Sequence, residues 1–309
     1  MARLPHTELD VHPLCLGGNV FGWTLDEDQS FAVLDAYVQA GGNFIDTADI
    51  YGRRGNGMGA SESIIGRWMA ARGNREQLVI ATKVGISPDR PGLSRAAIES
   101  GVADSLERLG VETIDLYYAH EDDLDTQLEE TLAAFQELID AGKIRHAAAS
   151  NYSAERLQQA LDLGERDGLA RYVALQPHYN LLERDYEREL APLCVRHELA
   201  CLPYFGLARG FLSGKYRREG EEIDSPRADG VRESYFNERG FALLDALDEI
   251  AATHDSSVAA VALAWLGAQP TVLAPIASAR TPAQLSELLA AAGLGLSVAE
   301  IARLSSAGA

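Results

Sequence analysis

The sequence of 309 residues predicts an α/β protein, a single-domain (β/α)8 barrel that spans residues 1–309. Two observations support this fold class. Short apolar runs alternate with longer amphipathic segments, a pattern that is typical of βαβ units around a parallel sheet. Eight apolar runs of this kind can be counted, and eight βα units close a barrel of roughly 250 residues, a size that suits this chain with extensions.

The elements follow in order along the chain. We predict strands near Leu14–Leu16, Asn43–Asp46, Leu78–Val84, Ile114–His120, Ile144–Ser150, Tyr172–Gln176, Ala200–Tyr204 and Val272–Ala277. Helices are predicted between them from Asp28 to Ala40, from Ser94 to Leu109 and from Thr126 to Ala141, each followed by a glycine that can end a helix. Ser153 is a candidate N-cap for the helix after the fifth strand.

An open, doubly wound sheet is the alternative for such an alternation. Its nucleotide site usually carries GxGxxG after the first strand, whereas residues 16–22 read LGGNVFG. The sequence has no evident linker or internal repeat. Its widest irregular stretch runs from Gly206 to Asn237, after the seventh strand, and we expect a functional loop there on the catalytic face.

Composition excludes several classes of function. The formal charge is −19, from 46 acidic and 27 basic residues, so nucleic acid and anionic membranes are poor partners. The longest apolar run, from Val258 to Ala268, is too short to span a bilayer. Three scattered cysteines predict neither a disulfide framework nor a zinc site. We therefore expect a cytoplasmic protein without a metal ion, and its oligomeric state stays open.

Three predicted strands end in polar residues of complementary chemistry. Asp46, Lys83 and His120 follow one another at intervals of 37 residues, about one βα unit, and barrel active sites lie at the carboxyl ends of the strands. Each has an ordinary structural explanation when taken alone: a cap, a lysine that reaches solvent, a core histidine. Lys83 is nevertheless one of only three lysines, and a buried lysine beside an aspartate usually serves a function.

Tyr51, five residues after Asp46, suggests which chemistry the group performs. A nearby ammonium is expected to lower the pKa of a tyrosine, and a carboxylate keeps that ammonium charged. A neutral histidine can donate a hydrogen bond to a carbonyl oxygen. The set suits proton transfer to an oxyanion that forms as hydride reaches a carbonyl carbon. No Ser-His-Asp order or metal cluster in the sequence competes with this interpretation.

The chain resembles the aldo-keto reductases, which are NAD(P)H-dependent (β/α)8 oxidoreductases, from about Leu14 to Leu304. It looks most like the bacterial branch related to potassium-channel β subunits, judged by residues 180–184 (NLLER) and 214–216 (GKY). The family resemblance rests on the ordered segments 44–48 (FIDTA) with Tyr51-Gly52, 81–83 (ATK), 118–120 (YAH), 150–152 (SNY), 176–180 (QPHYN) and 210–216 (GFLSGKY).

The resemblance implies roles for these residues. Tyr51 would be the general acid, tuned by Lys83 and Asp46, and His120 would orient the carbonyl. Trp23, Tyr51 and His120 would line the substrate pocket. The implied cofactor is NADP(H), with NAD(H) as the alternative. Ser150, Asn151 and Gln176 would hold its nicotinamide, with Tyr204 stacked on the ring. Leu207 and Gly210 would hold its pyrophosphate, and Ser278, Arg280 and Gln284 its adenosine phosphate end. Further contacts would come from Gly18, Asn19, Asp46, Phe205, Arg209 and Ile276.

Some positions depart from the family pattern and bear on the cofactor choice. Ala277 stands where the family often has Gly, and Leu288 where it often has an Asn that contacts adenine. Residues 204–209 read YFGLAR, where Ser-Pro-Leu more often follows the Tyr. One feature still favours binding of the cofactor's phosphates: the helix expected to begin at Thr281-Pro282 would offer its amino terminus to an anion.

Three functions follow from these observations. The first is reduction of an aldehyde, ketone or sugar-like carbonyl to an alcohol. The second is a regulatory or assembly subunit that binds NADP(H) and turns over poorly, and the intact residues Asp46, Tyr51, Lys83 and His120 do not separate it from the first. The third is an unrelated barrel enzyme in which Lys83 forms a Schiff base.

Overall fold

The computed structural model describes residues 1–219, 223 and 225–309. Eight parallel strands form one sheet within these ranges, in the spatial order β7-β6-β5-β4-β3-β2-β1-β8. The strands are β1 Cys15–Gly17, β2 Phe44–Asp46, β3 Val79–Val84, β4 Ile114–Ala119, β5 Ile144–Ser150, β6 Tyr172–Gln176, β7 Ala200–Cys201 and β8 Ile276–Ala277.

Backbone contacts between the two outer strands close the sheet into a barrel. Cys201 in β7 forms a parallel bridge with Val272, and the backbone N–H of Ile276 donates to the carbonyl oxygen of Pro203 at 2.9 Å. The predicted (β/α)8 fold is thereby confirmed. The seventh and eighth strands are shorter than predicted, because Pro203 and Pro275 have no N–H with which to continue a ladder.

The helices surround this barrel. They are α1 Glu27–Gln39, α2 Ala60–Arg72, α3 Arg95–Leu109, α4 Leu128–Asp140, α5 Ala154–Asp167, α6 Leu190–His197, α7 Ala228–Tyr235, α8 Glu238–Thr253, α9 Val258–Gly267, α10 Pro282–Leu289 and α11 Val298–Ala307. The three helices predicted before the fifth strand are present within two residues of their expected ends. Ser153 caps α5 as predicted, because its side chain accepts from the backbone N–H of Arg156.

The stretch predicted as irregular from Gly206 to Asn237 contains two ordered pieces. A 3-10 helix spans Ala208–Ser213, and α7 follows. The stretch is therefore less irregular than predicted over these residues, while positions 220–222 and 224 lie outside the described residues. The sequence of α7 is polar, but its residues Ala228, Val231 and Tyr235 are buried at helical spacing, so packing stabilises a helix that local propensity does not favour.

Two apolar layers position the site. The larger lies between strands and helices, and the smaller fills the barrel interior. An antiparallel hairpin of Ala2–Arg3 and Asp10–Val11 contributes Leu4, Leu9 and Val11 to the interior layer. This hairpin closes the amino-terminal end of the barrel, which leaves the carboxyl ends of the strands for ligands. Among the helices described, none is both long and apolar enough to cross a membrane.

Candidate active site

A buried ion pair joins the ends of β2 and β3. Lys83 is fully buried, and its Nζ donates to both carboxylate oxygens of Asp46, at 2.6 and 2.7 Å, and to the carbonyl oxygen of Thr47 at 2.6 Å. Burial lowers the pKa of Lys83, but the charge of Asp46 and then that of Tyr51 outweigh it, so the pKa is raised. The ammonium form and its three hydrogen bonds oppose the Schiff-base role, which needs a neutral and accessible amine.

Tyr51 lies on the loop after β2, with its ring centroid 5.0 Å from the Nζ of Lys83. Burial raises the pKa of Tyr51 above its ordinary value, and the charge of Lys83 lowers it by less. Lys83 thus acts in the expected direction, but the net shift is upward, because enclosure by protein opposes the phenolate and Asp46 offsets the lysine charge. The phenol consequently keeps its proton at neutral pH, as a proton donor must.

His120 directly follows β4 and is nearly buried. Burial and then the charge of Lys83 hold its pKa well below the usual range, so the imidazole is neutral at physiological pH. Its Nδ1 is buried without a hydrogen-bond partner among the described residues. Its ring centroid lies 6.2 Å from that of Tyr51, and both side chains line one cavity.

This inner cavity has a volume of about 350 Å³ and brings most of the predicted site residues together. Its walls include the predicted residues Asn19, Asp46, Tyr51, His120, Ser150, Asn151, Gln176, Tyr204, Phe205, Leu207, Arg209, Gly210, Ile276 and Ser278. Trp23, Arg280 and Gln284 line other cavities, described below, and Lys83 lies beneath the wall as the partner of Asp46. Gly18 lies behind the wall, where an added Cβ would come within 3.1 Å of the carbonyl oxygen of Asp46.

Hydrogen bonds fix the amide-bearing wall of the inner cavity. Gln176 Nε2 donates to Asp46 Oδ1 at 2.9 Å, which ties β6 to the ion pair. Asn151 Nδ2 donates to the carbonyl oxygen of His120 at 2.9 Å, and the Tyr204 hydroxyl donates to Asn151 Oδ1 at 2.8 Å. These polar groups are thus positioned by one another before a ligand enters.

The backbone after β7 is strained where it borders the inner cavity. Phe205, Ala208 and Arg209 have φ of 54°, 48° and 57°, and Gly210 has φ of 102°. The left-handed conformation costs a non-glycine residue roughly 1–2 kcal/mol. Strain of this kind concentrates at functional sites, and turns that combine such conformations can direct N–H groups toward an anion.

A second space, the basic cavity, has a volume of about 340 Å³ and adjoins the first. Arg209, Lys215, Arg227 and Arg280 line it, and Glu287 is the one acidic residue of its described lining. Burial and then the charges of Arg280 and Arg227 lower the pKa of Lys215. Cations that crowd one another in a protein of charge −19 make a site for anionic groups.

The eighth strand and the helix after it form the far end of the basic cavity. Ser278 Oγ donates to Asn19 Oδ1 at 2.8 Å, which fixes the boundary between the two cavities. Thr281 caps α10, and Gln284 Oε1 accepts from the backbone N–H of Arg280 at 2.9 Å. Arg280 and Gln284 both line the basic cavity, and Leu288 presents an apolar side chain there.

The two cavities together fit a nicotinamide dinucleotide. They share Leu207, Arg209, Gly210, Arg227 and Ser278, so one groove runs from the buried ion pair to α10. Amide groups and the Tyr204 ring lie at one end, where a nicotinamide ring and its carboxamide can be held. The cations lie at the other end, where phosphates can be held.

Two cations of this groove were not assigned to it from the sequence, and Trp23 was assigned to only one of the two spaces that this residue lines. Lys215 was quoted only as part of a motif, although its rarity as a lysine was a usable signal. Arg227 fell in the stretch that was predicted to be irregular. Trp23 lines the basic cavity and also a separate space in front of Tyr51, so it borders both ligand regions.

Comparisons with known proteins agree with this geometry. Residues 13–309 match the model of the aldo/keto reductase family. The chain is similar to norsolorinic acid reductase stcV of Emericella nidulans, with 34% identity over 96% of this chain and 78% of the relative. It is similar to the uncharacterized oxidoreductase YrpG of Bacillus subtilis, with 35% identity over 95% and 91%. It is also similar to an aryl-alcohol dehydrogenase [NADP(+)] of Phanerodontia chrysosporium, with 33% identity over 71% and 60%.

Proposed function

The chain belongs to the aldo/keto reductase family, and from this premise we propose that it is an NADP(H)-dependent oxidoreductase that reduces the carbonyl group of an aldehyde, ketone or sugar-like substrate to an alcohol. The observation that carries the proposal is the placement of Tyr51 and His120. Both line the inner cavity, beside the Lys83–Asp46 ion pair, and this cavity continues into the basic cavity.

In the proposed mechanism the chain supplies the proton and the bound cofactor supplies the hydride. His120, as a neutral imidazole, donates a hydrogen bond to the carbonyl oxygen and orients it. Tyr51 transfers its hydroxyl proton to that oxygen as negative charge develops there. The Lys83 ammonium stabilises the phenolate that remains, and Asp46 keeps the ammonium charged and fixed. In the reverse direction, the same phenolate accepts the proton of an alcohol.

The residues proposed to hold the cofactor follow the groove. Ser150, Asn151 and Gln176 would hold the carboxamide, and the Tyr204 ring would lie against the nicotinamide. The cations of the basic cavity, Arg209, Lys215, Arg227 and Arg280, would hold the phosphates. Arg280 immediately precedes the cap of α10, a position that favours a 2′-phosphate and hence NADP(H) over NAD(H). The relative from Phanerodontia chrysosporium, whose name includes NADP(+), supports the same preference.

We propose that residues 1–309 form one barrel domain, because the eight strands described here belong to one closed sheet that the helices surround. We also propose a cytoplasmic location, supported by three cysteines that are buried as thiols.

The proposal is tested by NADPH consumption with 4-nitrobenzaldehyde, using the wild type and Tyr51→Phe. We expect the wild type to turn over and the variant to lose at least about a hundredfold in kcat, because its ring has no proton to donate. Titration of both proteins with NADPH and NADH should show unchanged binding of NADPH and tighter binding of NADPH than of NADH. If the variant turns over as fast as the wild type, Tyr51 is not the proton donor. If the wild type binds NADPH but reduces none of a broad panel of aldehydes and ketones, the enzyme proposal fails.

A further inference from the structure

A third space, the outer cavity, lies in front of Tyr51 and has a volume of about 380 Å³. Its walls combine the rings of Trp23, Tyr51 and Phe205 with the guanidinium groups of Arg53, Arg54 and Arg227. No acidic residue of the described chain lines it. A space that contains the proposed proton donor, flat apolar rings and several cations is suited to a planar anion.

Arg54 is one of two cations of this wall that lie beside the ring of Trp23. Its guanidinium carbon lies 5.7 Å from the ring centroid of Trp23, and that of Arg227 lies 5.3 Å from the same centroid. Arg54 is exposed and forms no ion pair with the acidic residues that the structure describes. Two cations around one indole repel each other, and an anion placed beside them offsets this repulsion.

The charge of Arg54 is separate from the charges that the proposed function assigns to the cofactor. Arg227 lines the inner, basic and outer cavities, so it lies between substrate and cofactor. Arg53 and Arg54 line only the outer cavity, whereas Lys215 and Arg280 line only the basic cavity. Cofactor phosphates in the basic cavity therefore leave Arg54 available to the substrate.

We propose that the substrate is an aryl aldehyde or aryl ketone that carries a carboxylate, with its ring beside Trp23 and its carboxylate on Arg54. The inference rests on the proposed function, because the carbonyl must reach Tyr51, which lines the same cavity. A guanidinium that lies over an indole keeps its edge N–H groups free to bind a carboxylate in a bidentate way. Arg54 is then a specificity-determining residue.

The test compares two aldehydes, 4-formylbenzoate and methyl 4-formylbenzoate, which differ in charge and by the methyl group of the ester. Intrinsic reactivity favours the ester, whose carbonyl is the more electrophilic, so a preference for the acid must come from the protein. We expect the wild type to show a kcat/KM for the acid about tenfold or more above that for the ester, and Arg54→Gln to lose most of this ratio. Arg166→Gln is the matched control, because Arg166 is exposed near the end of α5, away from the strand carboxyl ends, and the ratio should be retained.

The outcomes separate this inference from the proposed function. If the wild type reduces the ester as well as the acid, or if the preference survives in Arg54→Gln, the carboxylate proposal is overturned while carbonyl reduction stands. If neither aldehyde is reduced, binding of terephthalate in the presence of NADPH, measured by calorimetry, decides the matter. Binding by the wild type that is lost in Arg54→Gln supports the anion site, and absence of binding by the wild type overturns it.

Discussion

At the scale of single residues, the Lys83–Asp46 pair is the most constrained feature of the molecule. The two side chains are almost completely withdrawn from water, and Gln176 adds a further hydrogen bond to the carboxylate. A buried ion pair contributes little net stability, but removal of one partner leaves the other charged and unpaired. The contribution of this pair to the free energy of unfolding and its proposed role in carbonyl reduction can therefore be measured separately by mutation.

We predict that Lys83→Met lowers the free energy of unfolding by about 3–5 kcal/mol, because the Asp46 carboxylate stays buried without a cation. The double variant Asp46→Asn/Lys83→Met removes both charges and should recover a large part of this loss, while carbonyl reduction stays impaired in both. Urea unfolding followed by circular dichroism measures the first effect. Equal urea midpoints for wild type and Lys83→Met would show that Asp46 is not held as a buried carboxylate.

Asp49, two residues before Tyr51, is a buried carboxyl group outside the proposed mechanism. Neither of its oxygens has a hydrogen-bond partner within the described ranges. Burial, with the charge of Glu62 next in size, raises the pKa of Asp49 to about 7. An unfolded chain has an aspartate pKa of about 3.9, so the folded state holds a proton that the unfolded state releases between these values. Stability therefore falls as pH rises from about 4 to about 7, and stays lower above that range.

We predict that Asp49→Asn removes this pH dependence. The variant should gain up to about 4 kcal/mol of unfolding free energy relative to the wild type at pH 8, and less at pH 5. Urea unfolding at both pH values is the measurement. Asp89→Asn, at an exposed turn position, is the control and should leave the difference between the two pH values as it is in the wild type. A gain from Asp49→Asn that is the same at both pH values would contradict the account.

For single residues, the sequence predicts which polar side chains stand at strand ends, but not how burial and charge combine to shift a pKa. Asp46, Lys83 and His120 were predictable because strand ends recur at one βα unit, and parallel strands bring these ends together. The direction of the Tyr51 pKa was not, because it depends on how burial compares with two nearby opposite charges, a balance that only three-dimensional positions fix.

At the scale of elements, apolar runs predicted the strands best where no proline interrupts the ladder. β5 and β6 have the bounds that the sequence indicated, because their runs are uninterrupted. The predicted bounds of β7 and β8 were too long, because they ran through Pro203 and Pro275. The polar helix α7 was missed because tertiary packing of one face, rather than composition, stabilises it. The roles of Arg54, Lys215 and Arg227 were not predicted, because segments without hydrophobic periodicity do not indicate which side chains face a cavity.

The loop after β7 yields a prediction about backbone conformation. An added Cβ at Gly210 would meet nothing closer than the Lys215 Nζ, at 3.6 Å, so a cost of Gly210→Ala comes from its φ of 102° and not from crowding. We predict a loss of about 1–2 kcal/mol in unfolding free energy and weaker NADPH binding. Gly230→Ala, inside α7, is the control, because it removes a glycine from a helix and should be neutral or stabilising. Equal effects of the two substitutions would contradict this reading of the loop.

At the scale of the whole molecule, the local charge at the site is opposite in sign to the net charge of the chain. The chain carries −19, yet Arg209, Lys215, Arg227 and Arg280 meet at one cavity at the carboxyl ends of the strands. Closure of the barrel assembles this cavity from both ends of the sequence, as the contact between Asn19 and Ser278 shows. The predicted barrel topology implied that these ends meet, but the side chains that face the cavity depend on loops.

In the proposed reaction, hydride passes to a carbonyl carbon in this groove while the chain protonates the oxygen. We would measure this by mass spectrometry of the alcohol formed from 4-nitrobenzaldehyde and NADPH that carries deuterium at both C4 positions, so that either hydride is labelled. We predict an alcohol with one deuterium on the carbinol carbon from the wild type, and none above background from Tyr51→Phe. An alcohol without deuterium, or a wild type that binds the deuterated NADPH and forms no alcohol, would contradict the claim.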